Sequence, residues 1–183
     1  MAEDRFGAQG KIKYMKTFIE TVRVALKDSN YYAGLFVVLT LPDICGKLED
    51  PESNNSSQRY TKWFDKYMVQ YDGFLSGNDC YALRCALLHA GSADITTQRK
   101  REVLEYVLFL EEGPHRNLLE NCTFNGVKKT FLQLNVQMFC EDICRGVEAW
   151  LDNMAGDAGI ETRMQEGIVI HPKGFIHRGV QFG

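Results

Sequence analysis

The sequence lacks any apolar run that approaches the roughly 20 residues needed to cross a bilayer. Its first residues, Met1–Gly7, do not show the charged and then apolar layout of a signal peptide. A basic excess is missing as well, because the 183 residues carry a formal net charge of −3. This charge excludes a broad surface that coats nucleic acid, but it leaves room for a local basic site. We therefore expect a cytoplasmic protein that is not associated with a membrane.

The sequence also lacks the short motifs of the common cofactor-binding and hydrolase sites. It has no glycine-rich phosphate or dinucleotide loop and no G-x-S-x-G elbow. Cys140 and Cys144 share one helix face, but no second close cysteine pair completes the four ligands of a structural zinc site. The expected compartment and the irregular cysteine spacing predict free thiols. We expect neither a cofactor nor a bound metal.

Helical periodicity dominates the first two thirds of the chain. With 45% hydrophobic residues, the chain can bury a core as one domain. Three amphipathic helices are predicted from apolar residues at 3–4 spacing, at Lys11–Lys27, Gln58–Tyr71 and Val136–Met154. Tyr31–Leu48 is apolar on all sides, and Pro42 interrupts it. Either the helix kinks at Pro42, or Thr40 caps a new helix with Asp43 at the third position, and the second interpretation is favoured.

Two segments between the helices favour β-structure. Val103–Leu110 and Gly126–Leu134 are rich in β-branched and aromatic residues, and we expect them to pair as an antiparallel hairpin with a long connection. A helix over 102–110 is the alternative. Residues 1–154 then form a helical domain with this hairpin inserted at about 102–134. Residues 155–183 form a Gly-rich C-terminal extension, either a short hairpin around 172–174 or a poorly ordered tail.

The segment Ser76–Gly91 is predicted to be a helix with a defined start and end. Ser76 is a good N-cap, and Asp79 follows at the third position as in a capping box, close to the positive end of the helix dipole. Gly91 is a good stop just past the last turn. The sequence thus places this helix within narrow limits.

Two polar residues in this helix, Arg84 and His89, stand roughly 140° apart around the axis. Tyr81, Cys85 and Leu88 fall within that arc, so we expect a buried apolar strip between a cation and an imidazole. Such an arrangement can hold a phosphate and move a proton. In the simpler interpretation, Arg84 is a surface or ion-paired arginine and His89 is a last-turn histidine favoured by the helix dipole.

The stretch Arg84–Gly91, R-C-A-L-L-H-A-G, resembles the R-x4-6-H signature of HEPN domains, which occur in many RNA-cutting toxins and defence systems. The resemblance implies a mainly α fold, a compact bundle of four to five helices over roughly Lys11–Met154, with the β-hairpin as a small insertion. Cys85 stands where the family often has Asn, Asp or His. Only Arg84 and His89 carry over as candidate catalytic residues.

The resemblance also implies a function. It is that of a metal-independent endoribonuclease, in which the RNA 2′-hydroxyl is the nucleophile and a homodimer builds the site. RNA is then the substrate, and a toxin or defence role would bring an antitoxin-like protein partner. The alternative is a non-catalytic HEPN-like module that binds a nucleotide or another protein. A third interpretation is a helical domain in which the motif is accidental.

Overall fold

The structure, a computed structural model, describes residues 9–124, 126–168, 170, 175–177 and 180–182. In these residues the helices are α1 (Gln9–Lys27), α2 (Tyr31–Val38), α3 (Leu41–Glu49), α4 (Ser56–Tyr67), α5 (Gly77–Ala90), α6 (Val136–Asn153) and α7 (Ala158–Gln165). The strands are β1 (Tyr106–Leu110), β2 (Asn117–Phe124), β3 (Val127–Asn135), β4 (Phe175–His177) and β5 (Val180–Phe182). A single 3-10 turn, Val69–Tyr71, follows α4.

The apolar face predicted along Gln58–Tyr71 is an aromatic stripe in the structure, and it forms the centre of the core. Its side chains at most 2% exposed are Tyr60, Trp63, Phe64, Met68 and Tyr71. Each fully buried aromatic or aliphatic side chain contributes roughly 1.5–3 kcal/mol relative to an exposed one. The helix ends at Tyr67, and the 3-10 turn carries Tyr71 onto the same buried side. The core therefore gathers around α4.

The apolar segment Tyr31–Glu49 is divided between α2 and α3. By length and composition this segment is apolar enough to cross a membrane, with a mean hydropathy of 1.2, contrary to the expectation that no apolar run approaches the required length. In the structure the helix is interrupted between Val38 and Leu41, and half of this apolar segment is buried inside the protein. Thr40 is the N-cap of α3, as predicted, but its hydroxyl donates to the Val37 carbonyl at 2.7 Å instead of capping. These are the properties of two short core helices.

The fold-class prediction, a mainly α HEPN-like bundle with a small inserted β-hairpin, is wrong, because the chain is a mixed α/β protein. Its sheet has three strands in the order β1-β3-β2. The two predicted strands do pair, but β1 and β3 run parallel, with Tyr106 opposite Phe131 and Leu110 opposite Asn135. The expected antiparallel hairpin between them does not form.

The physical reason is the strand β2, which lies in the segment taken for a long connection. It pairs antiparallel with β3, and Phe124 lies opposite Val127. Asn125-Gly126 separates these strands in the sequence, and this dipeptide is the strongest short-range signal for a hairpin turn. Gly126 has φ +78°, a conformation that glycine adopts at no steric cost. Because β2 fills one edge of β3, β1 pairs with the other edge.

The chain after α6 adds a helix to the core. Ile160 and Met164 of α7 are buried, and the Arg163 guanidinium donates to the Leu48 carbonyl of α3 at 2.8 Å. Farther on, β4 pairs antiparallel with β5. The predicted turn at 172–174 lies outside the described residues.

The six cysteines are free thiols, as the sequence predicted. Four of them are buried, at positions 45, 80, 140 and 144. Burial raises the pKa of the Cys80 thiol to about 12, which disfavours the reactive thiolate. These residues act as small apolar side chains of the core.

Asp79 joins α5 to the segment before β1. Its backbone N–H donates to the Ser76 hydroxyl at 3.1 Å, as the predicted cap requires. Its carboxylate does not close a capping box. It accepts instead from the backbone N–H groups of Glu102, Val103 and Leu104, at 2.6, 3.3 and 3.4 Å. A 3% exposed carboxylate thus satisfies three amides of the loop before β1.

We expect Asp79→Asn to lower the free energy of unfolding by about 2 kcal/mol. A neutral amide oxygen accepts these hydrogen bonds less strongly than a carboxylate, and the NH2 group of asparagine would face backbone N–H donors instead of an acceptor. Hydrogen exchange of the backbone amides of residues 102–104 should become faster in the same variant. Asp152→Asn, at an exposed position of α6, is the matched control and should change stability little. Equal stability of the two variants in urea unfolding would contradict this role of Asp79.

Candidate functional site

The helix α5 is held in a fixed rotation by its close contact with α4. The Gly77 N–H donates to Asp65 Oδ1 at 2.8 Å. A Cβ at Gly77 would lie 2.8 Å from the Cα and the carbonyl oxygen of Thr61, closer than real side chains pack. The other end stops at Gly91, which has φ +61° as its predicted role requires. Because Gly77 has no side chain, α5 can lie close to α4, and this contact fixes which face of α5 turns outward.

The face between Arg84 and His89 turns away from the core. The buried residues in the central turns of α5 are Ala82, Leu83, Ala86 and Leu87, which lie on the opposite side of the helix. Tyr81, Cys85 and Leu88 are only half-buried, so the expected burial of this strip is wrong. We call these three residues the outer strip. It is a partly apolar surface with a cation at one border and an imidazole at the other.

Arg84 lies at one border of the outer strip and faces α3. Its Nη2 donates to Asp43 Oδ2 at 3.3 Å, and its guanidinium lies 5.8 Å from the centre of the Tyr81 ring. The other terminal nitrogen, Nη1, is 4.0 Å from Cys85 Sγ, on the side that leads toward His89. The side chain is 20% exposed. One edge of the guanidinium is thus engaged, and another borders the outer strip.

A second arginine shares the Asp43 carboxylate. Arg59 Nη2 donates to Asp43 Oδ1 at 3.4 Å, and the Arg59 side chain is only 10% exposed. The Nε atoms of Arg59 and Arg84 are both buried and have no hydrogen-bond partner among the described residues. Two guanidinium groups and one carboxylate leave one positive charge in excess. We call Asp43, Arg59 and Arg84 the arginine cluster.

Sequence reasoning missed Asp43 and Arg59 as members of the site. It assigned Asp43 to the start of α3, where an acidic residue favours the helix dipole. The contact with Arg84 joins residues 41 positions apart, and the contact with Arg59 joins residues 16 apart. No local pattern specifies such pairs. The only sequence signal at Asp43 was an acidic residue in the first turn of an otherwise apolar helix.

His89 occupies the last turn of α5 and is exposed. Within the described part of the chain, its side chain has no hydrogen bond or ion pair, so its ring nitrogens are accessible to a ligand. Five residues along an α-helix separate it from Arg84 by roughly 7.5 Å in height and 140° in rotation. One chain therefore places both residues on the outward side but does not bring them into contact.

A second polar cluster, which sequence reasoning missed entirely, lies between the helices and the sheet. His115 Nε2 is 3.2 Å from Asp142 Oδ2 and 3.1 Å from the Tyr71 hydroxyl. That hydroxyl donates to the same Asp142 oxygen at 3.0 Å. The His115 and Asp142 side chains are only 5% and 9% exposed. The cluster attaches the β1–β2 loop to the 3-10 turn and to α6.

The charges of this second cluster are balanced around Asp142. Arg145 donates to the other carboxylate oxygen, Oδ1, and the Arg116 guanidinium lies 5.7 Å from the centre of the Tyr71 ring. Burial raises the pKa of the Tyr71 hydroxyl well above its ordinary value, and the Asp142 charge raises it further, so Tyr71 remains a donor. His115 Nδ1 is buried without a partner among the described residues. An imidazole enclosed in this way serves to hold the loop in place.

No family model, no curated protein and no solved structure matches this chain. The resemblance to HEPN domains therefore rests on the Arg84–His89 motif alone, and it stays a prediction. The two clusters and the outer strip are therefore the features that bear on function.

We expect Asp142→Ala to lower the free energy of unfolding by about 3–5 kcal/mol, because it removes the shared acceptor of a buried group and leaves its partners unpaired. Arg145→Ala tests the exposed partner of the same carboxylate. Its side chain is 63% exposed, so its loss should cost less than about 1 kcal/mol. Chemical denaturation of both variants measures the difference, and equal losses would show that Asp142 is not the centre of the cluster.

Proposed function

We propose that this protein is a metal-independent endoribonuclease that uses the RNA 2′-hydroxyl as its nucleophile. Its active site is completed across a homodimer, with His89 as the general base and Arg84 as the residue that stabilises phosphate charge. The observation that carries this proposal is the outward position of both residues at the borders of the outer strip. Such a reaction needs a base and a group that stabilises phosphate charge. His89 has no partner among the described residues, and Arg84 Nη1 lies 4.0 Å from the Cys85 sulfur, which is only a weak acceptor.

The arginine cluster supports a role in holding a phosphate. Arginine presents a planar fork that matches two phosphate oxygens. Asp43 neutralises only one of the two guanidinium groups that it contacts. The remaining positive charge is partly shielded from water, where a phosphate interacts with it more strongly than in bulk solvent.

The chemical step requires one proton transfer and one in-line displacement. Neutral His89 takes the proton of the 2′-hydroxyl, and the 2′-oxygen attacks the adjacent phosphorus. The bond from phosphorus to the 5′-oxygen breaks, and that oxygen takes a proton from a second His89 or from water. The products are a 2′,3′-cyclic phosphate and a 5′-hydroxyl. Arg84 lowers the barrier by stabilising the added negative charge on the phosphate oxygens.

A homodimer would bring Arg84 and His89 together. The outer strip is partly apolar, and one chain leaves it only partly buried. A twofold axis through this strip would bring the Arg84 of one protomer toward the His89 of its partner, because a twofold contact uses the same patch from both sides. It would also supply the second histidine for the leaving group.

Purified protein should cleave single-stranded RNA in the presence of EDTA, and replacing the 2′-hydroxyl at the cut by hydrogen should abolish cleavage. We expect His89→Ala and Arg84→Ala each to lower kcat/KM by about a hundredfold or more, the usual scale for a general base or a charge-stabilising donor. Arg84→Lys should fail as well, because an ammonium group cannot replace the bidentate fork. Gel analysis of a labelled RNA measures the rate and identifies the cyclic phosphate.

Lys27→Ala is the control for the loss of one positive charge, since Lys27 is exposed at the end of α1 and lies outside the arginine cluster. Circular dichroism and thermal unfolding should show that all four variants remain folded. Cleavage that requires a divalent metal, or that survives the loss of His89, would reject this mechanism.

The sharing of the site between two protomers can be tested separately. Arg84→Ala and His89→Ala should each be nearly inactive alone, but mixed subunits should regain activity, since a heterodimer contains one site with both residues intact. Statistical mixing gives about a quarter of the wild-type number of sites. Light scattering should report twice the 20.9 kDa chain mass. Active single variants, or an inactive mixture of proven heterodimers, would contradict a site shared between protomers.

A non-catalytic module is the second candidate function, and the Arg84–Asp43 ion pair favours it. A guanidinium already paired with a carboxylate is a poorer phosphate ligand, and a half-exposed apolar strip is common in protein interfaces. In that case the outer strip binds a nucleotide or another protein without cleaving it. Binding of uncleaved RNA with no turnover over hours would favour this candidate.

A further inference from the structure

A polar groove of about 520 Å³ lies where α4 and α5 begin, next to the loop before β1. All its lining residues are polar, and none is acidic. Two of them are lysines, Lys62 from α4 and Lys100 from the loop, and the others are neutral side chains such as Thr61 and Asn78. Both lysines are exposed. We call this the lysine groove.

The two lysines are not paired with an acid. Neither Lys62 nor Lys100 forms a hydrogen bond or an ion pair with any described residue. Two acidic side chains near the groove are held by neutral donors instead. Asp65 accepts from the Gly77 N–H, and Glu102 accepts from the side chain of Asn78, which lines the groove, at 2.8 Å. Both ammonium groups are therefore available to a ligand.

The loop that presents Lys100 is braced from within. Arg101, the next residue, donates from Nε to the Thr96 carbonyl at 3.1 Å and from Nη1 to the Leu104 carbonyl at 3.4 Å. The Asp79 carboxylate holds the amides that follow. Lys100 thus projects from a constrained turn, which lowers the entropy lost when it contacts a ligand.

The lysine groove is connected to the outer strip by a short path. Asn55 and Ser57 line the groove, and Ser56 between them has its hydroxyl 3.1 Å from the Tyr81 hydroxyl. Tyr81 lies beside the Arg84 guanidinium. A flexible polyanion whose phosphate sits at Arg84 can therefore continue past Tyr81 into the groove.

We propose that the lysine groove binds the sugar-phosphate backbone of single-stranded RNA beside the cut, with Lys62 and Lys100 neutralising phosphates. The inference rests on the proposed function, since it names a subsite of the same substrate. Neutral amide and hydroxyl groups among the lysines suit phosphate and sugar oxygens, which carry no base identity. The groove therefore contributes affinity and register without sequence preference.

The test is equilibrium binding of a short 2′-O-methyl oligouridine, which cannot be cleaved, by fluorescence anisotropy over a range of salt concentrations. Each phosphate neutralised on a single strand contributes about 0.7 to the slope of log affinity against log salt. The double variant Lys62→Gln, Lys100→Gln should lower that slope by about 1.4 and weaken binding about 25-fold at roughly 0.1 M salt. The arginine pair Lys62→Arg, Lys100→Arg should keep the wild-type slope.

Lys16→Gln, Lys27→Gln is the matched control, since it removes the same charge from exposed positions of α1. An equal loss in this control, an unchanged slope in the groove variant, or no binding by the wild type would each overturn the groove. The two proposals can fail separately. A lysine-dependent slope in a protein that never cleaves RNA keeps the groove and rejects the nuclease. Cleavage that depends on Arg84 and His89, with unchanged binding in the groove variant, rejects the groove alone.

Discussion

The burial of the aromatic face of α4 is the constraint on which the rest of the structure depends. The Phe64 ring lies between Tyr60 and Tyr71, with centroid distances of 6.5 and 6.0 Å. Two glycines let neighbouring helices approach this face. A Cβ at Gly77 of α5 would meet the backbone of Thr61 at 2.8 Å, and one at Gly146 of α6 would meet Met68 Sδ at 2.9 Å. Because interiors are close-packed, these contacts fix the rotation of both helices. The outward position of Arg84 and His89 is a consequence of that packing.

Buried carboxylates join the sheet to the helices. Asp79 binds three amides of the segment before β1, and Asp142 accepts from Tyr71, His115 and Arg145. Burying a charge is costly, and the cost is offset only when every oxygen finds donors in good geometry. Such sites tolerate few alternative arrangements, so they specify where a loop lies more than they add to net stability. In this chain they fix the two loops on either side of β1, and one of these carries Lys100.

Two groups of basic side chains in this acidic protein lie where the proposed function needs them. The net charge is −3, yet the arginine cluster and the lysine groove lie on α3, α4, α5 and the loop before β1. A chain of this overall charge repels RNA at long range, and salt screens that repulsion beyond about 8–10 Å. Affinity for a polyanion would then depend on local contacts, which favours a small, structured site over a broad basic surface. The outer strip, which lies next to these groups, supplies the apolar area that a second protomer would cover.

The sequence by itself determined the elements whose signals are local. The caps at Ser76 and Gly91, the break at Thr40 and the aromatic stripe of α4 all follow from residue types at short spacing, because helix ends and amphipathic faces are set within a few residues. Only the tertiary structure decided the rest. It made β1 parallel to β3, since β2 lies between them in the sequence and runs opposite to both, and the hairpin signal Asn125-Gly126 was the one local clue to this. It drew Asp43 to Arg59 and Arg84, and His115 to Asp142, because partners far apart in the chain are chosen by packing and by the need to satisfy buried charge.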